Sequence, residues 1–211
     1  MTSATDQPSP MHQSHGLDGD VTALRELYRA WASSYDDDVT RDGYVGPLVT
    51  AAVATQHSPA NPAVLDLGCG TGLVGGELRR LHPRSRIVAA DLSPDMAAVA
   101  EQRRVYDTVY SGIDLNEDLP TDWHGQFDAV VCCGTFTNGH IGPDRIRHLL
   151  QACRPGGTLT ISARCGHSRQ QRFADVVTDL VDQGLAAVAG TLLDAPYIRE
   201  EGADYWCLRA T

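Results

Sequence analysis

The chain has 211 residues, 42% of them hydrophobic, which suffices for one well-packed domain and falls short of two. Its formal net charge is −10, so neither a phosphate backbone nor an anionic membrane suits it as the main partner. All 17 basic residues are arginine, which excludes a P-loop lysine, a Schiff-base lysine and the lysine of a Tyr-x-x-x-Lys pair.

Residues 1–16 are Ser, Thr, Pro, Gln and His with almost nothing apolar, and they read as a disordered tail. From Asp20, a suitable N-cap, to about Ser33, the residues Val21, Leu24, Leu27, Tyr28 and Trp31 recur at helical spacing. Ser34-Tyr35-Asp36-Asp37-Asp38 reads as the end of that helix, and Gly43-Tyr44-Val45-Gly46-Pro47 leads into a second one to about Thr55. Tyr28, Trp31, Tyr35 and Tyr44 either pack these helices together or close over a bound cation as a lid, because aromatic faces attract positive charge. We therefore divide the chain into the tail, a helical lid over residues 17–57 and one globular unit over residues 58–211.

After Asn61-Pro62, strands and helices alternate. Strands are predicted at 63–67, 86–91, 106–110, 127–132 and 158–162, with further extended segments at 186–192 and 204–208. The intervening helices run over 73–81, 93–104 and 143–153, and a long one over 168–183. Near-continuous apolar strands separated by helices imply an α/β, Rossmann-like, doubly wound and mostly parallel seven-stranded sheet. Ligands of such sheets sit beyond the carboxyl ends of the strands, which is where Asp66, Asp91, Asp114 and residues 133–140 fall.

The cysteines, Cys69, Cys132, Cys133, Cys153, Cys165 and Cys207, form no C-x-x-C pair and read as free thiols in a reducing compartment. No signal-peptide core and no apolar run of about 18 residues is present, so a cytoplasmic location is expected. No cluster of metal-binding type stands out, and none is expected.

Val64-Leu65-Asp66-Leu67-Gly68-Cys69-Gly70-Thr71-Gly72-Leu73 passes from an apolar strand through a glycine turn into a helix start. Glycines let a ligand approach the backbone, and the helix start directs free N–H groups and partial positive charge at it. Gly70 to Gly75 satisfies G-x-G-x-x-G with Asp91 about 20 residues on, as a dinucleotide site requires. Asp66 favours a different ligand, since its anion repels a pyrophosphate and attracts the ammonium of S-adenosylmethionine (SAM). Asp91 suits the ribose hydroxyls, Leu92 and Met96 the faces of adenine, and Asp114 its amino group.

Together these stretches resemble the class I SAM-dependent methyltransferases over about residues 63–164. Val64 to Gly72 matches their first motif, Asp91 the acidic residue, Gly112-Ile113-Asp114-Leu115 the adenine loop, Phe127 to Gly134 the fourth strand, and Arg154-Pro155-Gly156-Gly157 the turn before the fifth. The wider pattern, Tyr28-x-x-Trp31-Ala32-x-x-Tyr35-Asp36 with Gly43 to Pro47 and His140, is similar to the small family named for the Williams–Beuren syndrome region. The resemblance implies SAM as cofactor, S-adenosylhomocysteine as product, and a cofactor site built from Tyr28, Tyr35, Asp66, Gly68, Cys69, Gly70, Gly72 and Leu73. From the later strands it adds Asp91, Leu92, Met96, Asp114, Leu115, Cys133 and Gly134.

Cys133-Gly134-Thr135-Phe136 replaces the [Asn/Asp]-Pro-Pro-[Tyr/Phe] of many enzymes that methylate amide or base nitrogens, and neither Cys132 nor Cys133 follows a proline as a cytosine nucleophile would. With the negative charge, this points to an O or N atom of a small metabolite, in secondary metabolism, methylated by a monomer or homodimer. A SAM-binding module without methyl transfer and an NAD(P)-dependent oxidoreductase are the alternatives. His140 suits proton removal near neutral pH, or else it caps the helix near Pro143 or packs on the lid. Tyr35 is its candidate catalytic companion, and Tyr44, Asn138, Arg164 and Tyr197 are candidate substrate contacts.

Overall fold

Side chains on both faces of β1 (Ala63–Leu67) are buried, a state open only to a central strand covered from both sides. The structure, a computed structural model, describes residues 21–137 and 140–211; the expected tail, Asp20 and Asn138 lie outside them. On one side β1 pairs in parallel with β2 (Arg86–Asp91), which pairs in turn with β3 (Thr108–Ser111). On the other it pairs in parallel with β4 (Phe127–Phe136), followed by β5 (Cys153–Arg164). An antiparallel hairpin of β6 (Ala186–Ile198) and β7 (Glu201–Ala210) completes the seven-stranded order β3-β2-β1-β4-β5-β7-β6. This is the mostly parallel, doubly wound sheet anticipated from the apolar pattern. Strand order turns back between β1 and β4, which opens a crevice at their carboxyl ends.

Alternation along the strands sorts the core into two layers. Val64, Ile87, Ala129 and Val131 face α3 (Gly46–His57) and α4 (Leu73–Leu81), which supply Ala51, Ala54, Val74 and Leu78. Leu65, Leu67, Val88 and Val130 face the opposite way, against Leu149 of α6 (Ile146–Leu150) and Phe173, Val177 and Leu180 of α8 (Phe173–Asp182). α5 (Pro94–Gln102) starts with Pro94 behind Ser93, whose hydroxyl accepts the Met96 N–H, and packs against β2 and β3.

Several elements differ from the expected ones. The acidic run after α1 (Val21–Trp31) begins a helix instead of ending one: α2 (Tyr35–Arg41) carries Asp36, Asp37 and Asp38 in its first turn, where the dipole favours anions. Asp38 also accepts hydrogen bonds from Trp31 Nε1 and Ser34 Oγ, which fixes the corner between the two helices. The long helix expected over 168–183 is two, α7 (Cys165–Gln170) and α8, because Arg172 takes the left-handed conformation at φ 54°. The segment expected as helix over 143–153 holds a short 3₁₀ turn and α6 before β5 begins at Cys153. Finally, α3 belongs to the sheet layers, while α1 and α2 supply Leu24, Arg25, Tyr28 and Tyr35 to the crevice wall.

Tyr106 enters the fold through an absence of side chain. A Cβ at Gly75 in α4 would lie 2.2 Å from its ring, and the Gly75 N–H donates to its hydroxyl at 3.2 Å. At the next position, Gly76, an added Cβ would meet nothing within 4 Å. Gly75→Ala should therefore cost about 1–3 kcal/mol by overpacking, whereas Gly76→Ala should be neutral or stabilising by up to about 1 kcal/mol from helix propensity. Urea denaturation of the two variants checks the contrast; equal effects would remove Tyr106 as the reason for the glycine.

Candidate functional site

The crevice beyond β1 and β4 widens into an open cavity of about 850 Å³. Its sheet-side wall is the glycine turn. Gly70 takes φ 54° and a Cβ there would meet nothing within 4 Å, so the backbone is presented bare to the cavity. Asp91, at the end of β2, holds the turn and the start of α5 together: Oδ2 accepts from the Gly70 N–H at 2.7 Å and Oδ1 from the Ser93 N–H at 2.8 Å. Burial pushes the Asp91 carboxyl up, and those backbone N–H groups draw it back. Leu92 and Met96 continue this wall, followed by Ile113, Asp114, Leu115 and Asn116. The Asp114 carboxylate accepts the Asn116 backbone N–H at 2.9 Å and its side-chain amide at 3.2 Å.

The opposite wall comes from the lid and the loop after β4. Leu24, Arg25 and Tyr28 of α1 and Tyr35 of α2 face Cys133, Gly134, Thr135, His140 and Ile141. Tyr28 Oη lies 3.0 Å from His140 Nε2, so the two walls meet through a hydrogen bond. Burial and the neighbouring Tyr28 hold the Tyr35 phenol well above its ordinary value, and it enters the site as a neutral hydroxyl. A second junction ties lid to turn. Asp36 accepts from Thr71 Oγ1 at 2.6 Å and pairs with Arg103, whose Nε donates to the Thr71 carbonyl at 2.8 Å.

Asp66 lies behind the turn, fully buried, and not on the cavity wall. Tyr106 Oη donates to its Oδ2 at 2.6 Å, while Oδ1 has no hydrogen-bond partner among the described residues. Burial pushes this carboxyl up to about 7, the Tyr106 bond opposes the shift and Asp91 adds to it.

Of the residues anticipated from sequence, Tyr28, Tyr35, Gly68, Gly70, Asp91, Leu92, Met96, Asp114, Leu115, Cys133, Gly134 and His140 line the one cavity. Others stand off it. Cys69 is buried with its thiol toward the Gly70 carbonyl, and Gly72 and Leu73 start α4 beneath the turn, with Gly72 backed by Tyr106 and Arg103. Tyr44 and Tyr197 pack behind Gly134, with Tyr44 Oη 3.3 Å from Cys133 Sγ and Tyr197 Oη donating to Tyr44 Oη at 3.4 Å. Arg164 is held by Glu201 at 2.7 Å, away from the cavity. Sequence reasoning missed Leu24, Arg25, Ser93, Ile113, Asn116, Thr135 and Ile141 on the wall. The helical period would have found two of these, since Leu24 and Arg25 lie one turn before Tyr28.

Residues 64–157 match the profile of a family described as a methyltransferase domain. Over 165 residues the chain is 32% identical to methyltransferase-like protein 27 of Homo sapiens, covering 74% of this chain and 64% of that protein. It is 31% identical over 124 residues to the ubiquinone biosynthesis O-methyltransferase of Xanthomonas axonopodis pv. citri (strain 306), covering 56% of this chain and 49% of the other. The chain thus spans 64% and 49% of the length of these two curated relatives. Among solved structures it resembles the Burkholderia thailandensis 1,6-didemethyltoxoflavin-N1-methyltransferase with bound 1,6-didemethyltoxoflavin and S-adenosylhomocysteine, at a TM-score of 0.62 and 21% identity over 100% of this chain and 98% of that one. A TehB-like SAM-dependent methyltransferase from Corynebacterium glutamicum gives 0.63 and 18% over 86% and 99%. At such identities these two likenesses establish the shared fold.

The raised Asp66 carboxyl sets a pH dependence. Below about pH 4 it is protonated folded and unfolded, and contributes nothing. Between about 4 and 7 only the unfolded chain loses this proton, so stability falls as pH rises, by up to about 4 kcal/mol once pH exceeds 7. Urea denaturation from pH 4.5 to 8 should show a shallower decline for Asp66→Asn than for the wild type. Parallel curves would mean that Asp66 is ionised in the folded protein.

Proposed function

We propose that this chain, whose residues 64–157 match a methyltransferase domain and whose fold is shared with SAM-dependent methyltransferases, is a class I SAM-dependent methyltransferase that transfers the methyl group of SAM to an O or N atom of a small-molecule metabolite. The observation that carries this reading is the pairing of two unlike walls around one cavity, a bare glycine turn with carboxylates facing an aromatic lid with a histidine. The residues fit the cofactor. The open approach at Gly70, the Asp91 and Asp114 carboxylates and the apolar Leu92 and Met96 suit a nucleoside, and the unpartnered Oδ1 of Asp66 behind the turn suits an ammonium reached through water.

Bound there, SAM would supply an activated methyl group on a sulfonium. The chain's own work is to align the acceptor, exclude water and take up a proton when the acceptor is neutral. Tyr28 and Tyr35 cover the site, and His140 is the candidate base. The acceptor is read as a small metabolite because the loop Cys133-Gly134-Thr135-Phe136 lacks the proline pair used on amides and bases, and because the −10 charge repels nucleic acid. The names of the O-methyltransferase and N1-methyltransferase relatives agree with O or N as the acceptor atom. No helix among the described residues is long and apolar enough to cross a membrane. The cysteines without a C-x-x-C pair support a reading of the enzyme as cytoplasmic, acting as a monomer or homodimer.

Incubation with methyl-labelled SAM and a metabolite extract should label a small molecule and leave nucleic acid unlabelled. Binding without transfer to any fraction would make the chain a SAM-binding module. In calorimetry, Asp91→Ala should weaken SAM binding by about 1.5–3 kcal/mol, the range for hydrogen bonds to a charged group. Unchanged affinity would remove Asp91 from the cofactor site.

A further inference from the structure

Both ring nitrogens of His140 are engaged. Tyr28 Oη stands 3.0 Å from Nε2 and Thr137 Oγ1 2.8 Å from Nδ1. The ring is also fixed from its backbone, since the His140 N–H donates to the Thr137 carbonyl at 3.2 Å and its carbonyl accepts from Asn116 Nδ2 at 3.3 Å. A base must offer its lone pair to the proton it removes, and this histidine offers both nitrogens to neighbours. The Tyr28 and His140 rings are tilted by 58° with centroids 5.8 Å apart, so the contact runs through the hydroxyl and not through stacked faces. The phenol itself stands on the cavity wall.

We propose that Tyr28 is the catalytic residue facing the acceptor and that His140, held by Thr137, draws the proton through it. This rests on the methyl-transfer reading above. With Nε2 accepting from the phenol, Nδ1 carries the ring hydrogen and donates it to Thr137 Oγ1. As the acceptor's lone pair forms its bond to the methyl carbon, the carbon–sulfur bond breaks and its electron pair stays on sulfur. The acceptor's proton moves to Tyr28 Oη, and the phenolic proton moves to His140 Nε2. One sulfonium charge disappears and one imidazolium charge appears, while Tyr28 begins and ends neutral. Because Tyr28 rides on α1 and His140 on the loop after β4, the relay exists only with the lid down. Proton removal is thereby tied to the exclusion of water.

Four forms of the full chain test this: wild type, Tyr28→Phe, His140→Ala and the double variant. The His140 ring nitrogens are read by ¹⁵N spectra in the presence of S-adenosylhomocysteine, with His140→Ala assigning the signals. Tyr28→Phe should shift the Nε2 resonance while S-adenosylhomocysteine affinity stays within about threefold, and should lower single-turnover transfer to the extract by about 10²-fold or more. The double variant should then be no slower than the slower single variant, as residues acting in one unit behave. Unchanged His140 signals in Tyr28→Phe overturn the relay without reference to activity, and so does a loss of S-adenosylhomocysteine binding in that variant. A slow His140→Ala beside a fully active Tyr28→Phe overturns the relay and keeps His140 as a direct base. Wild-type transfer by both single variants overturns the relay together with the base role of His140, and absence of labelled product from the wild type sinks the methyl-transfer reading itself.

Discussion

A carboxyl group buried inside a parallel sheet costs several kcal/mol to ionise unless donors surround it, and Asp66 has a single side-chain donor among the described residues. That donor, Tyr106 Oη, reaches it from the far end of the α5 segment, passing over α4 where only a glycine leaves room. The third glycine of the G-x-G-x-x-G pattern is thus explained by a tyrosine and not by a phosphate. The turn, the first helix after it and the loop before β3 are thus joined by one hydrogen bond, beside those that Asp91 and Arg103 make to the turn.

The lid is fastened by contacts of a different kind. Asp36 and Arg103 are partly exposed, at 40% and 29%, and a pair of that exposure is worth about 0–1 kcal/mol. Tyr28 and His140 contribute one further hydrogen bond between uncharged or singly charged groups. Burial of Leu24, Trp31 and Val39 adds an apolar anchor to these polar contacts, so α1 and α2 are held by packing as well as by hydrogen bonds.

The strand–turn–helix of residues 63–81 and the strand ends carrying Asp91 and Asp114 were legible because a parallel sheet writes its apolar runs and its glycine turn locally. α2 was not, since three aspartates after a helix resemble a stop until Trp31 and Ser34 are seen to share Asp38. Nor was the break at Arg172, where a non-glycine residue adopts positive φ with no signal in its type. Tyr44 follows α2, while Arg164 ends β5 and Tyr197 lies near the end of β6, and which side of such an end faces the cavity depends on packing partners far along the chain. For Arg164 that partner is Glu201. The place of α3 under the sheet was not legible, because its alanines are equally at home on a surface helix or in a buried layer.

β7 lies between β5 and β6 in the sheet although it follows both in the chain. As the polypeptide leaves the ribosome, β6 therefore emerges with no neighbour to pair with, displaying Val188, Leu192 and Leu193, which stay exposed even in the finished fold. Its register shifts near Gly190 and Ala195 distort the edge that an unrelated strand would otherwise find. Synthesis thus passes through a stage in which an apolar strand waits for its partner.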